Sequence, residues 1–269
     1  MIGPRLSVLG TAIAVSGDDG ELLGAIGRLW APFTSGPPDE AAAPPEVTLR
    51  IAADAPAVWL DGVSEQPRPA APADLAAHAT AAINRLAIDR YAGFAAHCGV
   101  VARGGRVVAF PGVSGAGKTT LVAACVRGGW TYVSDEALCV SRETGRVTPY
   151  PKPLALSAWS STAVGAPAGV VSAGENLVTA HELGGGVLDE PRELTDVVRL
   201  RRSAGRPAGL EPMHAAESVS ALLEMSFNHF RDAAQSFELV NALAQRCRSW
   251  QLTYSDPRAA TELLTQTFG

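Results

Sequence analysis

A glycine-rich loop between an apolar run and a helix-forming run limits the folds that this chain can adopt. The loop follows the pattern G-x-x-x-x-G-K-[ST] and reads Gly112-Val113-Ser114-Gly115-Ala116-Gly117-Lys118-Thr119. Apolar residues at 106–110 predict a strand before the loop, and residues 120–126 predict a helix after it. A strand, a tight glycine loop and a helix in this order are typical of α/β proteins, so we expect an α/β fold.

The residue types in this loop predict a phosphate-binding site of the P-loop (Walker A) kind. Glycine turns let backbone N–H groups converge on phosphate oxygens, and the start of the next helix adds positive partial charge there. Lys118 is expected to bridge the β- and γ-phosphates of ATP, and the Thr119 hydroxyl to ligate Mg²⁺. These loop residues, together with Thr120, are the predicted nucleotide-binding residues. The alternative is a glycine turn before an ordinary helix.

Composition excludes several other classes of protein. The chain has 269 residues and a net charge of −5, and its arginines are scattered apart from a small cluster at Arg199, Arg201 and Arg202, so no nucleic-acid surface is predicted. Four cysteines form no C-x-x-C pair, which argues against a zinc site and a disulfide framework. No apolar run approaches roughly 18 residues and no signal peptide is convincing, so we expect no membrane partner and a cytoplasmic location. The oligomeric state stays open, a homo-oligomer included.

Residues 1–92 predict a small α/β segment packed on a catalytic domain that spans residues 93–269. The expected elements of the first part are one strand over 5–15, a helix over 21–30, strands over 47–51 and 57–60, and a helix over 72–91. Residues 34–45 are rich in proline and alanine and predict a loop. No residue of this part suggests a chemical role.

The second part alternates strands and helices around the glycine loop. Two strands over 98–102 and 107–110 are joined by a glycine turn and lead into the loop. The elements expected after the loop helix are a strand over 131–133, a hairpin of 138–140 with 146–148, a strand over 195–200, helices over 215–225 and 236–246, a strand over 250–254 and a helix over 257–268. Residues 160–190 predict loops around short elements, mobile over the site.

Two adjacent acids follow the strand after the loop helix. A phosphotransferase needs one carboxylate that accepts the proton of the acceptor hydroxyl and another that holds metal. Asp135 and Glu136 fit these needs, and because neighbouring residues of a strand point to opposite sides, we expect one role for each. A solvated turn is the alternative interpretation.

Three stretches together resemble the catalytic domain of the bacterial HPr serine kinase/phosphorylase family. They are His97-Cys98-Gly99-Val100-Val101, the glycine loop, and Arg127-Gly128-Gly129-Trp130-Thr131-Tyr132-Val133-Ser134-Asp135-Glu136. The resemblance implies a P-loop kinase domain with a bent, mixed sheet similar to that of phosphoenolpyruvate carboxykinases. Residues 200–268 look like the C-terminal part of short HPr-kinase-related proteins, including lasso-peptide precursor kinases.

The resemblance also implies roles for individual residues. Asp135 matches the catalytic carboxylate, Glu136 the second acid that holds Mg²⁺ with Thr119, and His97 the histidine near the transferred phosphate. Without the family, His97 would be a core or turn histidine. The family has Asp at the position of Glu136, and Ser is commoner at that of Thr119. The loop signature of phosphorylase activity is not recognisable after Pro153, which puts reversal of the reaction, and the phosphocarrier HPr as substrate, in doubt.

The predicted function is ATP- and Mg²⁺-dependent transfer of the γ-phosphoryl group to a hydroxyl, with a serine of a peptide or protein as the first acceptor class. Two alternatives stay open: a kinase of a small-molecule hydroxyl, and a nucleotide-binding regulatory or assembly protein without acceptor. For Lys152 two interpretations stay open: it contacts a phosphate or the acceptor, or it is an exposed lysine between two prolines and has no function. Further candidates for the site are Arg199, Arg201, Arg202, Asn228, His229 and Arg231.

Overall fold

A computed structural model describes residues 1–34, 46–61, 63 and 66–269, which fold into two compact units. Unit 1 comprises Met1–Tyr91, Ala155–Ala158 and Ala168–Thr179, and unit 2 comprises Ala92–Leu154, Trp159–Pro167 and Ala180–Gly269. Two segments that the sequence-based division placed in the second domain therefore cluster with unit 1. Except for Thr34, the loop expected over 34–45 lies outside the described residues.

Unit 1 contains a five-stranded sheet in the order β1-β2-β3-β4-β5. Its strands are β1 (Ile2–Val8), β2 (Thr11–Gly17), β3 (Val47–Ala52), β4 (Ala57–Asp61) and β5 (Arg68–Pro69). The prediction of one strand over 5–15 is wrong, because β1 and β2 form an antiparallel hairpin. Leu9 and Gly10 turn the chain with positive φ angles of 49° and 86°. The alternating apolar pattern continues across this turn, so periodicity alone could not reveal it.

Two helices of unit 1 follow the sequence expectations. They are α1 (Gly20–Leu29) and α2 (Leu75–Arg90), and a 3₁₀ turn at Pro72–Asp74 precedes α2. Asp19 caps α1 by accepting hydrogen bonds from the backbone N–H groups of Glu21 and Leu22. Three later strands, β11 (Leu154–Ser157), β12 (Val170–Ser172) and β13 (Glu175–Val178), form a small sheet in the order β11-β13-β12. Ser172 Oγ in that segment donates to the carbonyl of Ala73, 2.8 Å away, so residues expected to be mobile loops are tied to the 3₁₀ turn before α2.

Unit 2 is built on a mixed eight-stranded sheet of described residues. Its strands are β6 (Phe94–Arg103), β7 (Arg106–Pro111), β8 (Thr131–Ser134), β9 (Ala137–Val140), β10 (Val147–Thr148), β14 (Asp196–Arg202), β15 (Gly209–Pro212) and β16 (Arg248–Tyr254). The order is β10-β9-β6-β7-β14-β16-β15, and β8 pairs with β6. Strands β7, β14 and β16 are parallel, so their carboxyl ends share one edge of the sheet. The α/β class expected from the sequence is confirmed.

Five helices of the described chain belong wholly or mainly to unit 2. They are α3 (Lys118–Arg127), α4 (Ala158–Val164), α5 (Ala215–Glu224), α6 (Ala233–Arg246) and α7 (Pro257–Phe268). Apolar residues of β6, β7 and β9 pack with residues of α5 and α6 in one buried core. Among the described residues, no helix combines the length and apolar character needed to cross a bilayer.

Candidate functional site

The glycine loop joins β7 to α3 at the carboxyl edge of the parallel strands. Gly115 and Gly117 have φ angles of 80° and 91°, a region that side chains rarely adopt. A Cβ atom at Gly117 would also lie 2.8 Å from the Tyr254 hydroxyl. The backbone angle therefore favours glycine at position 117, and an added Cβ atom would also force the Tyr254 side chain to shift. The first turn of α3 presents unpaired backbone N–H groups at the loop, an arrangement that attracts anions.

Lys118 is the first residue of α3, and only 4% of it is exposed. Its Nζ atom donates to the carbonyl oxygens of Gly112, at 2.7 Å, and Val113, at 3.0 Å. The ammonium group is therefore held within the loop by two backbone carbonyl oxygens. An anion bound by the N–H groups of the same loop would lie close to it. Burial lowers the pKa of Lys118, while the charges of Glu136 and Asp135 act in the opposite direction.

The acid pair lies at an interruption of one long strand. Asp135 and Glu136 connect β8 to β9, and both of these strands pair antiparallel with β6, with a register shift in the β6–β8 ladder between Val100 and Val101. The Cys98 N–H donates to the carbonyl of Glu136 at 3.2 Å, so the backbone stays bonded to β6 at the interruption. The Ser134 hydroxyl accepts the N–H of Ala137 at 3.0 Å. The sequence predicted the acids at the end of a strand, and the structure shows that the strand resumes after them.

Asp135 is 2% exposed and forms a buried ion pair with Lys152. Lys152 Nζ lies 2.8 Å from Asp135 Oδ1, and the Tyr132 hydroxyl lies 2.8 Å from the same oxygen. The Tyr132 hydroxyl is also 2.9 Å from the carbonyl of Lys152, so its one proton is shared between two acceptors. Burial and the charge of Asp135 raise the pKa of Tyr132, which keeps this hydroxyl a donor. We define Tyr132, Asp135 and Lys152 as the acid cluster.

The position of Lys152 corrects the expectation of an exposed lysine between prolines. Only 5% of Lys152 is exposed, and its Nζ atom also donates to the carbonyl of Pro153 at 3.0 Å. The sequence did not suggest a role for Tyr132. The burial of Lys152 could have been suspected because the chain has only two lysines and Lys152 follows the acid pair closely. A buried charge needs a counter-charge, and Asp135 supplies it.

Glu136 faces a different partner from Asp135, as expected for neighbouring strand residues. His97 Nδ1 lies 3.1 Å from the carbonyl oxygen of Glu136 and 3.5 Å from its carboxylate Oε1. Burial lowers the pKa of His97, against the charge of Glu136, which raises it, and Lys118 adds to the lowering. Phe227 packs edge-on to the imidazole, with ring centroids 5.6 Å apart. The structure thus brings His97 to the acid pair, with both side chains partly exposed.

The two threonines after Lys118 have different surroundings. Thr119 is partly exposed in the first turn of α3. Thr120 is 8% exposed, and its hydroxyl lies 2.8 Å from that of Ser160. Thr120 was predicted to bind nucleotide, and its hydroxyl is engaged inside the protein. Its backbone N–H belongs to the first turn of α3.

The remaining candidates lie in several places. Arg199, Arg201 and Arg202 are all exposed, and the Arg202 guanidinium is 5.3 Å from the ring centroid of Trp159. Asn228 is buried and bonds the backbone beside β6, because its Nδ2 donates to Gly93 and its Oδ1 accepts from Ala95. Asn228 therefore anchors the beginning of the strand that carries His97.

The donor groups of the site fit phosphates better than they fit a metal ion bound by the protein alone. Within the ranges that the structure describes, no three His, Cys, Asp or Glu side chains lie together as a metal site would require. Thr119 and Glu136 could hold Mg²⁺ only with further oxygen ligands, which phosphates and water commonly supply. The loop glycines, the buried Lys118 ammonium group and the start of α3 have the chemistry that phosphates need.

No protein-family model matches the chain, and no curated protein matches it. The residues and their geometry are therefore the only basis for assigning a function. Two features support a function. They are the glycine loop with its buried lysine at the carboxyl edge of the sheet, and the carboxylate pair at the junction of β8 and β9, two strands that both pair with β6.

Proposed function

We propose that this protein is an ATP- and Mg²⁺-dependent phosphotransferase that moves the γ-phosphoryl group to a hydroxyl. The observation that supports the proposal is that Lys118 and His97 lie close enough to Glu136 and Asp135 for the charges of these two acids to act on the pKa values of the lysine and the histidine. A nucleotide-binding loop alone would need only Lys118. A transfer reaction also needs carboxylates for proton transfer and metal binding, and the two acids near Lys118 meet this need.

The phosphate half of the site comprises the loop and Lys118. The backbone N–H groups from Gly112 onward would bind phosphate oxygens, and Lys118 Nζ would exchange its contacts with the Gly112 and Val113 carbonyls for phosphate oxygens. Since the lysine is already ordered at this place, little side-chain entropy would be lost on binding.

The acid half of the site comprises the acid cluster together with Glu136 and His97, and it would supply proton transfer and a metal contact. Asp135 would take the proton of the acceptor hydroxyl on Oδ2, while Lys152 and Tyr132 hold Oδ1 and keep the carboxylate oriented. The acceptor oxygen forms a bond to the γ-phosphorus as the bond to the β-phosphate oxygen breaks, and ADP leaves. Thr119 and Glu136 would help to hold Mg²⁺, which when bound neutralises developing charge on the phosphates. Neutral His97 lies beside Glu136 and orients it.

The acceptor that we propose first is a serine of a peptide or protein, as the resemblance to the HPr-kinase-like proteins and their lasso-peptide-related members implies. A small-molecule hydroxyl is the alternative within the same reaction. Neither class requires a phosphorylase activity, for which this chain shows no recognisable signature. The acceptor can be identified by incubating the protein with a cell extract and γ-labelled ATP, followed by mass spectrometry of labelled peptides and metabolites.

A second function is favoured by one specific observation. Asp135 is 2% exposed and already paired with Lys152, which is what a structural carboxylate requires. A nucleotide-binding regulatory or assembly protein would bind ATP through the loop and use the acid cluster only for stability. Slow hydrolysis without transfer to any peptide or metabolite would support this function.

The experiment that separates the two functions is the substitution Asp135→Asn. If Asp135 is the base, phosphoryl transfer should fall about 10²–10⁴-fold while ATP affinity stays nearly constant. The matched control is Asp189→Asn, which changes an exposed aspartate of the same unit. Transfer measured with labelled ATP and affinity measured by calorimetry give the two readouts. Unchanged transfer in the Asp135→Asn protein would rule out the proposed base.

A further inference from the structure

A hollow beside the first turn of α3 contains groups that the proposed transfer step does not use. It is lined by Gly117, Thr120, Trp159, Arg202, Tyr254 and Pro257, all of which belong to unit 2. Trp159 is 54% exposed, an uncommon state for so large an apolar side chain. Its indole ring is covered in part by the Arg202 guanidinium, 5.3 Å from the ring centroid. We call Trp159 and Arg202 the stacking pair.

The sheet order places the stacking pair and the acid pair on opposite flanks of the glycine loop. Strand β6, which bonds to the backbone of Glu136, is one neighbour of β7, and β14 is the other. Arg202 is the last residue of β14, and Tyr254 is the last residue of β16. In α/β sheets, ligands bind beyond the carboxyl ends of parallel strands, and these two residues occupy that edge.

This arrangement predicts how a nucleotide would be oriented in the site. If the γ-phosphoryl end lies toward the acid pair, the nucleoside end must leave the loop on the flank of β14 and β16. The stacking pair stands on that flank and directly adjoins the loop, because a Cβ atom at Gly117 would be 3.2 Å from Arg202 Cδ. Arg202 also borders an open recess of about 440 Å³, lined by Ser203, Ala204, Gly205 and Ser255. The recess adds open space on this flank, next to Arg202.

We infer that Trp159 and Arg202 form the nucleobase side of the nucleotide site, with the base stacked on the Trp159 indole and Arg202 paired with the phosphate nearest the ribose. The inference depends on the proposed function, because it requires a nucleotide on the glycine loop. Aromatic rings and arginine are the groups that proteins use to stack bases, and stacking tolerates any base. The ligand class is a nucleoside triphosphate of weak base preference, so ATP and GTP should bind with similar affinity.

The test measures the affinities of ATP, GTP and inorganic tripolyphosphate for four proteins: the unchanged chain, Trp159→Ala, Lys118→Ala and the control Phe237→Ala. Phe237 is also 54% exposed in unit 2, so it matches Trp159 in exposure. Trp159→Ala should weaken ATP and GTP binding about tenfold or more and leave tripolyphosphate binding unchanged. Lys118→Ala should weaken all three ligands, and Phe237→Ala none. Far-ultraviolet circular dichroism and a melting curve show that each variant is folded.

Trp159→Phe provides a second readout, since phenylalanine still stacks but does not contribute indole emission. ATP should quench the tryptophan fluorescence of the unchanged chain, and this quenching should be lost in Trp159→Phe while ATP affinity is largely kept. If Lys118→Ala loses ATP but Trp159→Ala binds it as tightly as the unchanged chain, the base lies elsewhere and the inference is wrong while the nucleotide site stands. If the unchanged chain binds none of the three ligands, the proposed function and the inference both fail.

Discussion

The two halves of the candidate site are built in different ways. The phosphate half is one contiguous stretch, Gly112 to Thr120, whose shape follows from glycine backbone angles and a helix start. The acid half brings together residues from three places in the chain, because Asp135 is paired with Lys152 and Glu136 contacts His97. The first half is defined by local geometry, and the second by tertiary packing.

This difference determines how each half should respond to substitution. A change in the loop alters backbone geometry and should reduce binding of a phosphate ligand before it reduces stability. A change in the acid cluster exposes or unpairs a buried charge and should reduce stability first. Substitutions in each half, compared by unfolding and by nucleotide affinity, can test whether the distinction holds.

The largest effect is expected from Lys152→Met, which leaves Asp135 buried without its counter-charge. Breaking a buried ion pair on one side typically costs about 3–5 kcal/mol, and we expect a loss of that size in the free energy of unfolding. Equilibrium urea unfolding of the full chain measures it. ATP affinity should be affected less, because Lys152 Nζ binds Asp135 and the Pro153 carbonyl and the proposed roles give it no phosphate to bind.

The double variant Lys152→Met/Asp135→Asn is the control for this prediction. It removes both charges, so most of the lost stability should return. If the single variant is as stable as the unchanged chain, or if the double variant is no more stable than the single one, the ion pair is not what holds the acid half together.

The next largest effect concerns Gly117→Ala in the phosphate half. A side chain at φ 91° costs about 1–3 kcal/mol, and the new Cβ atom would meet the Tyr254 hydroxyl at 2.8 Å. Gly105→Ala is the matched control, because Gly105 has a φ of 81° but no atom within 4 Å of the added Cβ. Both variants should lose stability in urea unfolding, and only Gly117→Ala should lose ATP affinity in calorimetry. Equal ATP affinity in the two variants would contradict a binding role for the loop.

The same difference explains how much the sequence could predict. The glycine loop, its flanking strand and its helix were predictable because their pattern lies within about twenty consecutive residues. The place of Asp135 and Glu136 after a strand was predictable from their order along the chain, whereas the roles that a family resemblance implies for them and for His97 stay predictions. The pairing of Asp135 with Lys152 was not, since no local pattern tells whether a lysine between prolines is exposed or buried. The tight turn at Leu9 was missed for the opposite reason, because the apolar alternation runs through it.

A smaller effect is expected for Thr120→Val. Thr120 is the last residue of the phosphate half, and its side chain is buried. The substitution removes the hydrogen bond between the Thr120 and Ser160 hydroxyls and keeps the shape of the side chain. Unfolding should become easier by about 1 kcal/mol, while ATP affinity stays unchanged because only the backbone N–H of Thr120 faces a phosphate in our proposal. Thr120→Ser, which keeps the hydroxyl, is the control. A marked loss of ATP affinity in Thr120→Val alone would show that the hydroxyl binds the nucleotide directly.

The smallest effect is a change in pH dependence at His97. Burial is the first cause of the lowered pKa of His97 and Lys118 adds to it, while Glu136 and Asp135 act in the opposite direction. Because the folded state disfavours the protonated imidazole, His97 costs no stability above the unfolded value of about 6.5 and reduces stability progressively as the pH falls below it. His97→Gln removes this contribution, so its free energy of unfolding should decline less between pH 7 and pH 5 than that of the unchanged chain. The control His181→Gln alters an exposed histidine and should follow the unchanged chain. A steeper decline in His97→Gln would mean that the protonated form is the one stabilised by Glu136, and that the acid half holds a charged imidazole rather than a neutral one.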